Sequence, residues 1–166
     1  MIQESGPQDQ WQFRAAEGWL ELGNWVEAQA ELEGIPPQFE KHPQVLCLRH
    51  QIYAKAGRWE LAAEVAREIA IIRPDDAFGW IHWAYSLHEL KRTQEAYDVV
   101  HSVVAKFPEE STLPYNLACY SCQLGKLKEA MEWLERAIRT DTEKEIRRMA
   151  VKDKDLEPLW KEIGEL

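Results

Sequence analysis

Long apolar runs and cysteines are both scarce in this sequence. No uninterrupted apolar stretch approaches the ~18 residues of a membrane-spanning helix, so we expect no membrane span. Only 3 of the 166 residues are cysteine. This odd, low number is typical of a reducing compartment, and we expect a cytoplasmic location. The first residues contain no basic region and no apolar core, so we expect no secretory signal.

Basic charge is also scarce. Lys and Arg number 20 against 29 Asp and Glu, which gives a formal net charge of −9. Nucleic-acid binding depends on basic side chains that neutralise phosphates, so we expect no nucleic-acid partner. The sequence has no glycine-rich phosphate loop, no His-Glu-x-x-His pair and no nucleophile elbow. We therefore expect no catalytic residues, no cofactor, no bound metal and no enzyme activity.

The sequence does contain a strict internal period. Four alanines stand 34 residues apart, at Ala28, Ala62, Ala96 and Ala130. Gly23, Gly57 and Gly125 keep the same spacing, with Lys91 in the fourth place. A fixed period of this length indicates a stack of similar supersecondary units rather than one irregular core.

Each unit has the signals of two helices. Helical stretches are predicted over 43–56, 77–90 and 111–124, and second ones over 59–73, 93–106 and 127–140. Gly57 and Gly125 follow first helices, where a left-handed turn favours glycine. Pro74 and Pro108 are predicted to stop second helices. In the first unit, Gly34 and two prolines after it predict a short or broken second helix.

A 34-residue helix–turn–helix with small residues between its helices resembles the tetratricopeptide repeat (TPR) family, and here its small bacterial members. The resemblance covers about residues 9–142 and implies an all-α, right-handed superhelix of antiparallel helix pairs, an α-solenoid. The predicted segments are a flexible tail over 1–8, repeats over 9–42, 43–76, 77–110 and 111–142, and a capping segment over 143–166. Asp155 is predicted to cap a last helix that buries Leu156, Leu159, Trp160 and Ile163. The alternative is that Asp155–Trp160 is a detachable peptide that binds elsewhere.

In TPR proteins the first helix of each pair lines the concave side. The resemblance therefore implies a non-enzymatic interaction module, an adaptor or scaffold, that binds a protein or peptide segment with apolar anchors. The predicted groove residues are Arg14, Glu17, Gln51, Lys55, Phe78, Ile81, His82, Tyr85, His88, Tyr115, Asn116 and Cys119. Only Asn116 and Arg14 resemble the clamp that holds chaperone C-termini in this family, so we expect no binding to such peptides.

Three alternatives stay open at this point. Small bacterial secretion chaperones are also acidic and TPR-built. Cys119 and Cys122 form a Cys-x-x-Cys that His88 could face, which raises a metal or redox module. Homo-oligomers are the third, because Trp11, Trp25 and Trp133 are candidates for exposed surface.

Overall fold

The computed structural model describes residues 7–141 and 145–165. In these residues the secondary structure is helical and no strand is present. The α-helices are α1 Pro7–Glu21, α2 Trp25–Glu33, α3 Pro43–Lys55, α4 Trp59–Ile72, α5 Ala77–Glu89, α6 Thr93–Val103, α7 Thr112–Gln123, α8 Leu127–Thr140, α9 Ile146–Ala150 and α10 Trp160–Glu165. Short 3₁₀ helices span Pro37–Phe39 and Lys154–Leu159. Within the described ranges, no helix combines the length and apolarity that crossing a bilayer requires.

The turns inside the helix pairs have one backbone conformation. Gly23, Gly57 and Gly125 have φ values of 80°, 68° and 76°. Lys91, the fourth member of this column, has a φ of 62°. A left-handed residue ends a helix and lets the chain reverse, and glycine adopts it without the Cβ clash of other residues. The period therefore fixes where each pair turns, even where glycine is replaced.

Two second helices end early. α2 stops at Glu33, and the 3₁₀ turn Pro37–Phe39 follows it. This confirms the short second helix predicted for the first unit. α6 ends at Val103, three residues before the predicted end at 106, so Pro108 is not what stops this helix.

The chain divides into two compact units, Met1–Ser86 and Leu87–Leu166. In the first unit, residues of α1, α2 and α3 and of the loop after α2 form an apolar cluster of Ala16, Ala28, Leu32, Ile35, Val45, Leu48 and Ile52. In the second unit α7 is central, because nine of its twelve residues are buried.

Small residues lie where the helices touch. The four periodic alanines each have 0% exposed surface. Ala16, Ala84 and Ala118 form a second fully buried column, in which His50 is the fourth member at 2% exposure. Gly79 serves the same purpose at one crossing, since a Cβ there would lie 2.4 Å from the backbone nitrogen of Ala70. Close helix approach thus depends on a few positions that have no room for larger side chains.

The C-terminal segment packs back onto α7. Asp153, rather than the predicted Asp155, caps the 3₁₀ helix Lys154–Leu159, and its Oδ1 accepts from the Asp155 amide at 3.0 Å. Leu156, Leu159 and Ile163 are buried. The Trp160 indole is half-buried and donates to the Asp153 carbonyl at 3.0 Å. Two aspartates two residues apart give similar cap signals, and only the packing of the segment selects one.

Candidate functional site

In the first unit, an exposed tyrosine stands on a tryptophan. Tyr85 of α5 is 42% exposed. Its ring meets the half-buried ring of Trp59 edge to face, with centroids 5.7 Å apart. On α3, Gln51 and Lys55 are also exposed and lie one helical turn apart, so they share a face. Trp59 was not among the predicted site residues, although it follows Trp25 by one 34-residue period, which could have indicated it.

Three rings of α3 and α5 pack together in the same unit. Phe78 lies 4.2 Å from His82, and His82 lies 4.7 Å from His50, between centroids. Burial, and to a smaller extent the neighbouring His82, lowers the pKa of His50 to about 4. Burial also lowers the pKa of His82. Both imidazoles are therefore neutral at pH 7 and contribute aromatic surface rather than charge.

The hydrogen bonds define the tautomer of His50. The Ser86 hydroxyl donates to the His82 carbonyl at 2.8 Å, so its oxygen is left to accept from His50 Nε2 at 3.5 Å. His50 Nδ1 is then an acceptor, and it is buried with no hydrogen-bond partner. An unsatisfied buried nitrogen costs free energy, so this cluster is held together by packing.

The other predicted residues of the first unit have ordinary surroundings. Arg14 and Glu17 are exposed on α1. Burial raises the pKa of Glu17, the Glu21 carboxylate raises it further, and Arg14 opposes both effects. Ile81 is half-buried. On α5, Phe78, Ile81, His82 and Tyr85 recur at helical spacing and form one stripe.

In the second unit, three of the four predicted residues contact the chain's own C-terminal segment. His88, Tyr115 and Cys119 are all buried, while Asn116 is half-buried. The Tyr115 hydroxyl donates to Asp153 Oδ2 at 2.6 Å. His88 Nε2 lies 3.0 Å from Asp155 Oδ2. The two aspartates were not predicted to meet these side chains, because contacts between residues this far apart in sequence leave no local signal.

The Cys-x-x-Cys of α7 has the wrong electrostatics for redox chemistry. Burial raises the pKa of the Cys119 thiol well above its ordinary value, and the Asp153 carboxylate raises it further. Burial and then Asp155 raise the pKa of Cys122 as well. A reactive pair needs a lowered pKa, so this environment speaks against the redox alternative. All three cysteines are free thiols. In the described ranges, no group of three His, Cys, Asp or Glu side chains is arranged to hold a metal ion.

The tryptophans proposed as exposed surface differ from one another. Trp11 is 64% exposed, whereas Trp25 packs against the core of the first unit. Trp133 is half-buried and donates to Glu129 Oε1 at 3.3 Å. The Tyr97 hydroxyl donates to the same oxygen, and burial together with Glu129 raises the pKa of Tyr97 to about 12.

Comparisons with known proteins point to one fold. No protein-family model matches the chain. A putative pentatricopeptide repeat-containing protein of Arabidopsis thaliana is 29% identical over 94 residues, which are 55% of this chain and 12% of that protein. The chain thus spans about an eighth of the curated relative it matches.

Two solved structures are similar over nearly the whole chain. MamA 41-end from Desulfovibrio magneticus RS-1 superposes with a TM-score of 0.74 and 20% identity, over 97% of this chain and 96% of that one. PilW, a widely conserved type IV pilus biogenesis factor, gives 0.72 and 17% identity, over 98% and 80%. The all-α helical-repeat fold that the TPR resemblance implied is therefore confirmed, and by its fold this chain is a TPR-like helical-repeat protein.

Proposed function

We propose that this chain is a non-enzymatic interaction module that binds a segment of a partner protein on the exposed faces of its first helices. The TPR-like fold supports this class of function, because stacked helical repeats present extended surfaces for binding. The observation that carries the proposal is the exposed Tyr85 ring seated on Trp59, with Gln51 and Lys55 exposed in the same unit.

This surface has the composition of a binding hot spot. Tyr and Trp offer large rigid contact area at low entropic cost, and hot spots are enriched in both. Gln51 and Lys55, exposed in the same unit, would let a partner satisfy its backbone groups beside an apolar anchor. A carboxylate clamp is not part of this proposal, because the stripe Phe78–Tyr85 carries rings and Ile81 rather than cations.

A helper in assembly or secretion is the second candidate. PilW is a factor in type IV pilus biogenesis, and a comparable assembly role is compatible with a segment-binding face. The three free thiols support a reducing compartment such as the cytoplasm. Cell fractionation with an antibody to the chain would decide the compartment.

The test compares two substitutions of exposed side chains. The tagged full chain carrying Tyr85→Ala is used for affinity capture from native extract, next to Ile71→Ala as a matched control. Ile71 is 66% exposed on the second helix α4. We expect Tyr85→Ala to weaken binding of the captured partner by about ten-fold or more, as for a hot-spot aromatic, while Ile71→Ala retains it. Equal binding by both variants would contradict the proposed face.

A further inference from the structure

The C-terminal segment is held on α7 by side chains that the sequence predicts to bind a peptide. Tyr115 donates to Asp153 Oδ2 at 2.6 Å, and the Cys119 thiol donates to the same oxygen at 3.8 Å. These two donors lie one helical turn apart and therefore share a face. Asp153 is thus received by two neutral donors of the first-helix face.

A second set of contacts continues along the segment. His88 Nδ1 lies 3.1 Å from the Thr93 hydroxyl, and accepting from it leaves Nε2 protonated to donate to Asp155 Oδ2 at 3.0 Å. The Gln123 amide donates to the Asp155 main-chain carbonyl at 3.0 Å. The next residue, Leu156, has 0% exposed surface.

The receiving surface therefore contacts a definite pattern of groups in the segment. The donors are Tyr115, Cys119 and Gln123 of α7 together with His88 of α5, and we name the set the α7 face. It contacts two carboxylates two positions apart, one backbone carbonyl and then a leucine. Over residues 7–141 and 145–165, no ion pair joins a lysine or arginine to Asp153 or Asp155. Recognition of this pattern rests on aligned donors, not on a field of positive charge.

We infer that the α7 face is a binding site for an acidic partner segment of the form Asp-x-Asp-Leu, and that residues 153–156 occupy it when no partner is bound. This inference rests on the proposed function, that first-helix faces bind protein segments. The partner segment replaces the chain's own residues contact for contact. A permanent cap, which never leaves the α7 face, is the alternative that the experiments exclude or establish.

The resident segment has the local structure of a replaceable ligand. It is a six-residue 3₁₀ helix, a form with poorer hydrogen-bond geometry than the α-helix. It follows α9, which has only five residues. Lys154, Glu157 and Pro158 are exposed, and the Asp155 side chain keeps 36% of its surface. Short elements of this kind open locally before the core does.

Tethering sets how strongly a partner must compete. A segment joined to its own site has a high effective concentration. The apparent affinity of a partner is then the intrinsic affinity multiplied by the fraction of molecules with an open site. A substitution that weakens docking of residues 153–156, and leaves the α7 face unchanged, must therefore strengthen partner binding.

The first experiment uses a fluorescent peptide that spans residues 151–160, titrated into the full chain and followed by anisotropy. The chain carrying both Asp153→Ala and Asp155→Ala loses two carboxylate contacts. Each contact favours docking of the chain's own segment by about ten-fold or more. We expect it to bind the peptide about a hundred-fold more tightly than the unchanged chain. Glu157→Ala, an exposed acidic residue of the same segment, is the matched control and leaves the affinity unchanged.

Two further titrations test whether the peptide binds at the α7 face. A peptide with both aspartates replaced by asparagine should lose the gained affinity. Adding Tyr115→Phe to the double-alanine chain should also lose it, because the ring stays and only the hydroxyl donor is removed. If the double-alanine chain keeps its helical circular dichroism and binds no better than Glu157→Ala, the inference is wrong and the segment is a permanent cap.

The second experiment needs no substitution. It therefore distinguishes a replaceable segment from a permanent cap even if the double-alanine chain fails to fold. The Asp155 and Leu156 amides both donate within the docked segment, each at 3.0 Å. Peptide at about ten times its intrinsic Kd should raise their hydrogen-exchange rates about ten-fold, since it captures the open form. Unchanged rates at that concentration would overturn the inference. The Tyr85→Ala comparison concerns the other unit, so either proposal can fail without the other.

Discussion

His50 fills with an imidazole ring the position that alanine holds in the other three first helices, at Ala16, Ala84 and Ala118. The ring is 2% exposed, and its Nδ1 has no hydrogen-bond partner. Charging it would bury a cation beside His82, whose pKa is lowered too. The native state therefore resists protonation of this one side chain.

The sign of the pH effect follows from the lowered pKa. The unfolded chain takes up a proton at this residue near pH 6.5, whereas the native chain does so only near pH 4. The contribution of neutral His50 to the free energy of unfolding is complete above pH 6.5. It is lost as the pH falls toward 4, and the total loss is about 3 kcal/mol. We predict that urea unfolding of the unchanged chain shows this loss between pH 7 and 4.

The substitution His50→Ala should remove that part of the pH dependence, while His101→Ala, at an exposed histidine of α6, should retain it. Carboxylates titrate in the same range in every variant, so the difference between the variants isolates His50. Identical pH profiles for the unchanged chain and His50→Ala would show that His50 does not resist protonation.

At the scale of helices, Gly79 determines how closely α5 approaches α4. A Cβ at this position would lie 2.4 Å from the nitrogen and 2.7 Å from the Cα of Ala70. Both atoms belong to backbone, which cannot rotate away as a side chain would. The helices would have to move apart and lose packing contacts.

We predict that Gly79→Ala lowers the free energy of unfolding by about 2 kcal/mol. Gly18→Ala is the matched control, because Gly18 also lies inside a helix but has nothing within 4 Å of a built Cβ. It should stabilise the chain by about 0.5–1 kcal/mol through helix propensity. Urea midpoints measure both, and a neutral Gly79→Ala would disprove the close crossing.

The helices were predictable because their signals are local. Alanine columns, left-handed turns and proline stops recur within one 34-residue unit, so each repeat supports the next. Two helix ends were not predicted: α6 ends before Pro108, and Asp153 replaces Asp155 as the cap. Helix ends depend on packing that short windows of sequence do not contain.

At the scale of the whole chain, the three thiols differ in how accessible they are to solvent. Cys119 and Cys122 are 5% and 4% exposed, while Cys47 is half-buried. Burial raises the pKa of all three, which lowers the thiolate fraction. Accessibility therefore separates Cys47 from the pair on α7.

We predict that a thiol reagent modifies Cys47 first in the native chain, and Cys119 and Cys122 at least about ten-fold more slowly. Denaturant should expose all three at similar rates. Mass mapping of the modified peptides over time identifies each site. Three equal rates without denaturant would mean that the segment over Cys119 and Cys122 is not closed.

The candidate site was predictable only in part. Repeat register indicated the first-helix residues, including Tyr85 and Tyr115, because their positions follow from the period. The docking of Asp153 and Asp155 on α7 could not be derived, since it joins residues 38 and 67 positions apart. Neither aspartate differs from other surface carboxylates in any local pattern.

The four fully buried alanines have a consequence for how the sequence of such a chain changes during evolution. Each repeat is strictly limited in size at a few positions, while its remaining side chains can change as long as their polarity suits their face. Substitutions then accumulate almost everywhere without altering the path of the backbone. A TM-score of 0.74 at 20% identity is the result expected of a fold whose helix contacts depend on a sparse set of small residues.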